Sequence, residues 1–268
     1  MNSVAQLQNL PRKQVTTLNG RLFEYTISGA GRPTLVLLAA SGGPIESWFK
    51  VMASFEALGT VFAYNRPGVG GSDKPSAPET GQRVVETLRS LLMHAGLAPP
   101  YVLVGHSLGG LYSNLFARTY ADETAGAVLL DPAAPEDVAL MAQRKSALQR
   151  AVERAANAVA PADEFAEAAH AAETVAQIDR AAPFPDIPLA VVTGAKPALA
   201  WLTPREVLAA RMSHQKKLAA LSTCGLQIMA HHSGHFPQLS EPHVVIDAVR
   251  SVVWSIPGLR RGCKEVAD

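Results

Sequence analysis

From residue 34 onward, short and nearly continuous apolar segments alternate with longer segments that have helical periodicity. The apolar segments are typical of strands buried on both faces of a parallel sheet, and they comprise residues 35–39, 61–64, 101–104, 127–130, 189–193 and 226–229. The helical segments comprise residues 47–58, 81–95, 108–120, 204–221 and 242–255. This alternation predicts right-handed βαβ units in a mostly parallel, doubly wound α/β sheet. Active groups in such a sheet lie on loops at the carboxyl ends of strands.

The residues before this alternation predict an antiparallel N-terminal edge. Residues 15–18 and 22–27 favour β-structure, and they flank Asn19-Gly20, a pair suited to the positive φ angles of a tight hairpin turn. We therefore expect a hairpin beside the parallel strands.

Residues 134–186 interrupt the alternation, because they contain far more chain than one crossover between strands needs. Pro161 separates two predicted helical stripes, the first formed by Val138, Met141, Leu148, Val152, Ala155 and Val159, and the second by Phe165, Ala169, Ala172 and Ala176. We interpret this segment as a helical cap over the mouth of the active site. The core would then comprise residues 1–133 and 187–268. The alternative is a set of helices that only extends the scaffold.

A candidate nucleophile lies where a predicted strand meets a predicted helix. Residues 101–110 read Tyr-Val-Leu-Val-Gly-His-Ser-Leu-Gly-Gly, which places Ser107 in a G-x-S-x-G turn. Such a turn is tight and strained, and Gly105 and Gly109 remove side chains that would collide with neighbouring backbone. The turn presents the Ser107 hydroxyl at the top of the sheet, with the N–H of Leu108 facing a developing oxyanion.

With these features the chain resembles the α/β-hydrolase superfamily over residues 22–256. The resemblance includes the Ser107 turn, Ser41-Gly42-Gly43-Pro44, the segment Asn-Arg-Pro-Gly-Val-Gly-Gly-Ser-Asp at 65–73, and Ser233-Gly234-His235 before the last helix. It implies an α/β-hydrolase fold with a serine nucleophile. The glycines at 68–71 lack the G-x-G-x-x-G spacing of a phosphate-binding loop, so we interpret them as a structural turn.

The resemblance also implies an oxyanion hole with two N–H donors. Leu108 supplies one, and by position Gly43 supplies the other. This sequence has Ser41 where relatives often have histidine, so the hydrogen bonds that brace the loop must differ. The alternative is a glycine-proline turn with a purely structural role.

Among the eight histidines, His235 is the candidate base, because it follows the last predicted strand at the position where the superfamily has its catalytic histidine. His231 and His232 lie nearby and could line the pocket or brace the loop. The spacing of the three histidines would also suit a metal site. No carboxylate or cysteine completes the ligand set, so we predict no metal.

The acid that orients the histidine is harder to assign. Many relatives have it after the strand at 189–193, but here that loop reads Gly-Ala-Lys-Pro. Asp131, at the carboxyl end of the strand after the Ser107 helix, is the candidate, and hydrolases that take their acid from this earlier strand support it. The alternative for Asp131 is a turn or helix-cap aspartate. Glu206 is a substitute, whereas Asp186 lies at the wrong end of its strand.

Composition restricts the partners of the chain. Of 268 residues, 24 are Lys or Arg and 23 are Asp or Glu, and a net charge of +1 gives no broad attraction to nucleic acid or anionic membranes. No apolar run reaches the roughly 20 residues of a membrane-spanning helix. Cys224 and Cys263 are too few for a disulfide framework, and residues 1–14 lack the apolar core of a secretory signal. We expect a soluble, cytoplasmic protein with a small-molecule substrate, and the oligomeric state is left open.

The constellation predicts acyl transfer to Ser107. Our leading hypothesis is a carboxylesterase-like serine hydrolase, without a cofactor, that cleaves a small or medium apolar ester. Trp48, His106 and Phe236 are expected to contact the substrate, with a place in the core as the alternative. Carbon–carbon bond hydrolases, cofactor-free perhydrolases and non-catalytic binding proteins of this fold remain rival hypotheses. An epoxide hydrolase or dehalogenase of this fold would have an aspartate as nucleophile.

Overall fold

Eight described strands form one sheet, and most neighbouring strands run parallel. The computed structural model describes residues 10–138, 165–196 and 205–258. The strands are β1 (Gln14–Leu18), β2 (Arg21–Gly29), β3 (Thr34–Leu38), β4 (Thr60–Tyr64), β5 (Tyr101–His106), β6 (Thr124–Leu130), β7 (Leu189–Gly194) and β8 (Gly225–Ala230). Their order is β1-β2-β4-β3-β5-β6-β7-β8, in which β2 is antiparallel to both neighbours and all other pairs are parallel. The predicted sheet with its antiparallel N-terminal edge is confirmed.

The hairpin that forms this edge turns at the predicted pair. Asn19 has a φ of 50° and Gly20 a φ of 76°. Two successive positive φ angles match the right-handed twist of the strands that the turn connects.

The α-helices that lie fully within the described ranges are α1 (Met52–Glu56), α2 (Gly81–His94), α3 (Leu108–Thr119), α4 (Ala171–Arg180), α5 (Arg205–Ala219), α6 (Pro237–Ser240) and α7 (Pro242–Ser255). Four of the five predicted helices correspond to α2, α3, α5 and α7. The fifth, at 47–58, is instead a 3-10 turn over Ile45–Trp48 followed by α1. The reason is that Ile45, Trp48 and Val51 are buried at every third position, a spacing that suits a 3-10 turn.

Successive side chains of each strand point to opposite faces of the sheet, and each face has its own core. Helices α2, α3 and α4 cover one face, where Leu88, Phe116 and Ile178 belong to the same buried cluster as alternate strand residues. Helices α1 and α7 cover the other face, where Phe55 and Val249 do so. This arrangement leaves the carboxyl ends of the parallel strands free to hold a site.

About half of the predicted cap lies outside the described residues, because residues 139–164, with most of the first predicted stripe, are not described. The 134–186 boundary therefore stays a prediction. After this gap, α4 packs against α2 and α3. Its buried positions are Thr174 and Ile178, whereas the alanines of the second predicted stripe are exposed. Alanine buries little area, so larger neighbours determine which face of α4 packs.

Candidate active site

Ser107 occupies the turn between β5 and α3, as the sequence predicts. Its φ of 54° and ψ of −118° lie in a region that L-residues rarely adopt. The Ser107 N–H donates to the Leu130 carbonyl at 3.0 Å, and the Ser107 carbonyl accepts from the Gly110 and Ala133 N–H groups at 2.9 and 3.0 Å. These bonds hold the strained backbone in place.

Both glycines of the turn are sterically required. A Cβ on Gly105 would collide with the Ser113 hydroxyl, and a Cβ on Gly109 would collide with the Leu38 carbonyl oxygen of β3. Glycine therefore lets α3 approach the sheet closely enough to present Ser107.

Asp131 and His235 meet Ser107 at the carboxyl ends of the strands. The Ser107 hydroxyl lies 2.9 Å from His235 Nε2, and His235 Nδ1 lies 2.8 Å from Asp131 Oδ2. With the Nδ1–H tautomer, His235 donates to the carboxylate and accepts from the serine. Asp131 directly follows β6 and is 5% exposed. The geometry brings together the three residues that the sequence singled out from three separate loops.

Asp131 is the carboxylate in contact with His235 in the described part of the chain. Asp186 instead accepts bonds from Ser222 and Thr223, at the other end of β7. Glu206 lines the cavity beside Ser107, but no hydrogen bond joins it to His235 there.

The carboxylate of Asp131 has further partners that favour its charged form. The Gly194 N–H donates to Oδ1 at 3.0 Å, and Arg211 Nη2 forms a short ion pair with the same oxygen. Burial by itself would raise the pKa of Asp131, but the bond from His235, the charge of Arg211 and the Gly194 N–H together hold that pKa below its ordinary value. Sequence reasoning missed Arg211, since nothing in its local pattern distinguishes it from other cations of α5.

The loop expected to complete an oxyanion hole forms a turn at residues 40–43. The Gly43 N–H donates to the Ala40 carbonyl at 2.9 Å, and Gly42 has a φ of 63°. The Gly42 N–H donates to Glu167 Oε1. Among the described residues, the N–H groups of Ser41 and Leu108 have no hydrogen-bond partner. Leu108 is the first residue of α3, where helix N–H groups point outward.

The residues predicted to contact substrate lie elsewhere. Trp48 and His106 are each 1% exposed, and Phe236, at 46%, lies against the rings of His106 and His235. None of the three lines the cavity that opens on Ser107. The described cavity does not support their predicted contact with substrate, and that role stays a prediction.

His106 has a different environment from the one expected. Its Nε2–H donates to the His235 carbonyl at 2.5 Å, while its Nδ1 accepts from Gln238 Nε2 at 3.2 Å. Burial lowers the pKa of His106 to about 4, so its imidazole is neutral near neutral pH. These contacts hold the loop that carries His235.

A cavity of about 440 Å³ opens beside Ser107 and His235. The segment after β6 and helix α5 supply most of the residues that line it. These residues are Pro132, Ala133, Asp137, Val138, Glu206, Val207, Ala210 and Arg211. The charged groups are partly paired, since Asp137 accepts from His214 and Arg211 pairs with Asp131. This volume suits a small-molecule ligand.

Neither a metal cluster nor a membrane span is found within residues 10–138, 165–196 and 205–258. No group of three or more histidine, cysteine or acidic side chains there is arranged to hold an ion. No helix there is both long and apolar enough to cross a bilayer.

Comparisons with known proteins concern the family and the fold of the chain. The sequence profile described as the alpha/beta hydrolase family matches residues 35–248. Uncharacterized protein YqjL of Bacillus subtilis is 37% identical over 105 residues, which are 39% of this chain and 42% of that protein. Human (Lyso)-N-acylphosphatidylethanolamine lipase is 30% identical over 108 residues, which are 38% of this chain and 30% of that protein. The chain thus spans less than half the length of these curated relatives.

A solved structure extends the likeness over nearly the whole chain. The enol-lactonase from Burkholderia xenovorans has a TM-score of 0.63 at 20% identity and covers 89% of this chain and 99% of its own. At this identity the likeness concerns the fold.

Proposed function

The chain belongs to the alpha/beta hydrolase family, and on that premise we propose that it is a serine hydrolase that cleaves a carboxylic ester of a small or medium apolar substrate. One observation carries the proposal: Ser107, His235 and Asp131 are joined by hydrogen bonds and line a cavity of about 440 Å³. The fold alone hosts many chemistries, so the argument rests on the site.

In the proposed reaction, Ser107 Oγ attacks the ester carbonyl while His235 Nε2 accepts the hydroxyl proton. The resulting imidazolium is stabilised by the Asp131 carboxylate, and it then protonates the departing alkoxide. A water molecule, activated by His235, hydrolyses the acyl-enzyme and releases the acid. Asp131 would remain ionised throughout, because the groups around it lower its pKa.

The tetrahedral intermediate would be held by N–H groups of Leu108 and of the 40–43 turn. Gly43 remains the donor that the resemblance implies. To act, its N–H must exchange the bond to Ala40 for a bond to the oxyanion. Ser41 offers an N–H that already lacks a partner among the described residues.

Ester cleavage is favoured because an alkoxide leaves more readily than an amide nitrogen or a carbanion. One relative is named a lipase and one solved structure an enol-lactonase. Esters and lactones share the acyl–oxygen bond that this site would break. Carbon–carbon bond hydrolysis and perhydrolysis are the alternatives, and product analysis with matched substrates separates them.

A fluorophosphonate probe tests the nucleophile. We expect covalent labelling of the folded protein at Ser107, located by peptide mapping, and no labelling of Ser107→Ala. Hydrolysis of p-nitrophenyl esters should disappear in the same variant.

Ser213→Ala is the matched control, because Ser213 is an exposed serine of α5 that does not line the cavity. Its side chain has no role in the proposed reaction, so labelling should persist. A folded wild-type protein that stays unlabelled and inactive on esters would contradict the proposal.

A further inference from the structure

A buried ion pair lies behind the turn at residues 40–43. Arg66 follows β4 and is 2% exposed, and Glu167 begins the 3-10 turn Glu167–His170 and is 8% exposed. Arg66 Nη2 donates to Glu167 Oε1 at 2.9 Å, and Arg66 Nε forms a short bond with Oε2. The two residues thus form a bidentate pair across 101 positions of sequence.

Both partners also bond the backbone of the turn. Glu167 Oε1 accepts from the Gly42 N–H at 2.9 Å, and Arg66 Nη2 donates to the Ala40 carbonyl at 2.6 Å. The same Ala40 carbonyl accepts from the Gly43 N–H that closes the turn. The pair therefore contacts the turn on an N–H and on a carbonyl, which fixes the orientation of the peptide groups between them.

These bonds offer the loop another brace, in place of the histidine that the resemblance implies at position 41. With Ser41 where relatives often have histidine, the loop must be held by other groups, and the described structure provides Glu167 and Arg66. Burying two charges costs desolvation free energy, and the attraction between them often does no more than offset that cost. A buried ion pair is therefore weak evidence that its role is to stabilise the fold. What it does supply is a fixed geometry at the candidate oxyanion site.

We propose that Glu167 and Arg66 are positioning residues that hold the 40–43 turn in the shape that leaves the Ser41 N–H available to bind the oxyanion. Neither side chain touches the substrate. Because Glu167 lies in the segment that begins at residue 165, the candidate oxyanion site depends on the position of that segment. The start of the segment is also bonded to the core, since the Glu79 N–H donates to the Phe165 carbonyl. This inference rests on the proposed serine hydrolase function.

Glu167→Gln tests the proposal, because glutamine keeps an acceptor for Gly42 but loses the charge that pairs with Arg66. We expect kcat/KM for p-nitrophenyl esters to fall by about 10- to 100-fold, since small displacements of a catalytic group have effects of this size. KM should change little, because the oxyanion exists only after the serine attacks.

Two further measurements separate positioning from a loss of folded protein. The rate is expressed per active site, with sites counted by the endpoint of fluorophosphonate labelling. Phenylboronic acid forms a tetrahedral adduct with serine. Its inhibition constant should rise by about the same factor by which kcat/KM falls. A purely structural role would lower the number of sites and leave both per-site values unchanged.

Glu79→Gln is the matched control. Glu79 is 2% exposed and accepts from Arg21 at 2.9 Å, so it is an equally buried carboxylate paired with an arginine, but it does not bond the 40–43 turn. We expect lower stability with per-site kcat/KM within about threefold of wild type, as for substitutions away from the reacting groups.

If Glu167→Gln fails to fold, the double variant Arg66→Met with Glu167→Leu removes both charges and leaves no buried ion unpaired. It should fold and show the same per-site loss. Per-site activity and boronate affinity within about threefold of wild type in either variant would overturn the inference while leaving the proposed function intact. An inactive, unlabelled wild type would instead refute the proposed function.

Discussion

At the scale of single residues, the candidate site is the place where the backbone is strained. Within the described ranges, the non-glycine residues with positive φ are Asn19, Ser107 and Asp131, and two of these belong to the site. Such conformations cost free energy and persist only where the surroundings enforce them. For Asp131, with a φ of 40°, the enforcing bonds are its N–H to the Val192 carbonyl at 2.7 Å and its carboxylate to Gly194.

The conformation of Asp131 also determines which substitution tests it. Asparagine tolerates this φ nearly as well as aspartate, whereas alanine would add backbone strain. An amide can donate to His235 Nδ1 and thereby favour the tautomer that cannot accept the Ser107 proton. We expect Asp131→Asn to lower kcat by about 10³- to 10⁴-fold with the fold intact by circular dichroism.

Asp137→Asn is the control for this substitution. Asp137 lines the same cavity, but it pairs with His214 and not with His235. The kcat of this variant should stay within about tenfold of wild type, because Asp137 makes no bond to Ser107, His235 or Asp131. Near-wild-type turnover of Asp131→Asn would eliminate Asp131 as the acid.

What the sequence could predict differs among these residues for a physical reason. Ser107, Asp131 and His235 each follow a strand whose periodicity is visible locally, so their loops could be assigned to one edge of the sheet. Arg66 and Arg211 pair with carboxylates 101 and 80 positions away, and Glu167 also bonds Gly42, 125 positions away. Such pairings depend on how the elements pack, which a single sequence does not encode in any local pattern.

At the scale of secondary-structure elements, the periodicity of the sequence predicted most boundaries. It failed where tertiary packing determines which face of a helix is buried or which type of helix forms. The alanines at 169, 172 and 176 form a regular stripe, but α4 buries Thr174 and Ile178 instead. The 3-10 turn at Ile45–Trp48 likewise follows from burial at every third residue. In both cases tertiary contacts outweigh a weak local preference.

The junction between β5 and α6 gives a prediction about acid stability. His106 ends β5 and donates to the loop before α6, and burial lowers its pKa to about 4 against about 6.5 in an unfolded chain. Between these two pH values the unfolded chain binds the extra proton, so stability falls as pH falls from about 6.5 to about 4 and is unaffected by this group above that range. The full contribution is about 3 kcal/mol.

Urea unfolding at pH 7.5 and pH 4.5 measures this effect. In His106→Gln the loss of stability between the two pH values should be about 2 kcal/mol smaller than in wild type, because glutamine does not titrate. His231→Gln, at an exposed position of the neighbouring loop, should behave as wild type. Equal pH dependence in all three proteins would show that His106 is not a buried neutral group.

At the scale of the whole molecule, the parallel sheet brings distant loops to one edge. Strand alternation could predict this edge and thus the location of the site. It could not predict the cavity, because the walls come from the segment after β6 and from α5, whose relative orientation is set by packing. The net charge of +1 still favours a small-molecule substrate over charged polymers, and the cytoplasmic compartment stays a prediction.

On the proposed ester hydrolase function, the position of the cavity between these two parts predicts that α5 limits the length of the acyl chain. Ala210 lines the cavity, and Ala209, the preceding residue of the same helix, is exposed and does not. Ala210→Phe should therefore lower kcat/KM for p-nitrophenyl octanoate by more than about tenfold and change kcat/KM for p-nitrophenyl acetate by less than about threefold. The reason is that only the longer acyl chain needs the volume that phenylalanine would fill. Ala209→Phe makes the same chemical change outside the cavity and should leave both values as in wild type. An equal loss on both esters, or the same selectivity in Ala209→Phe, would mean that the acyl chain lies elsewhere.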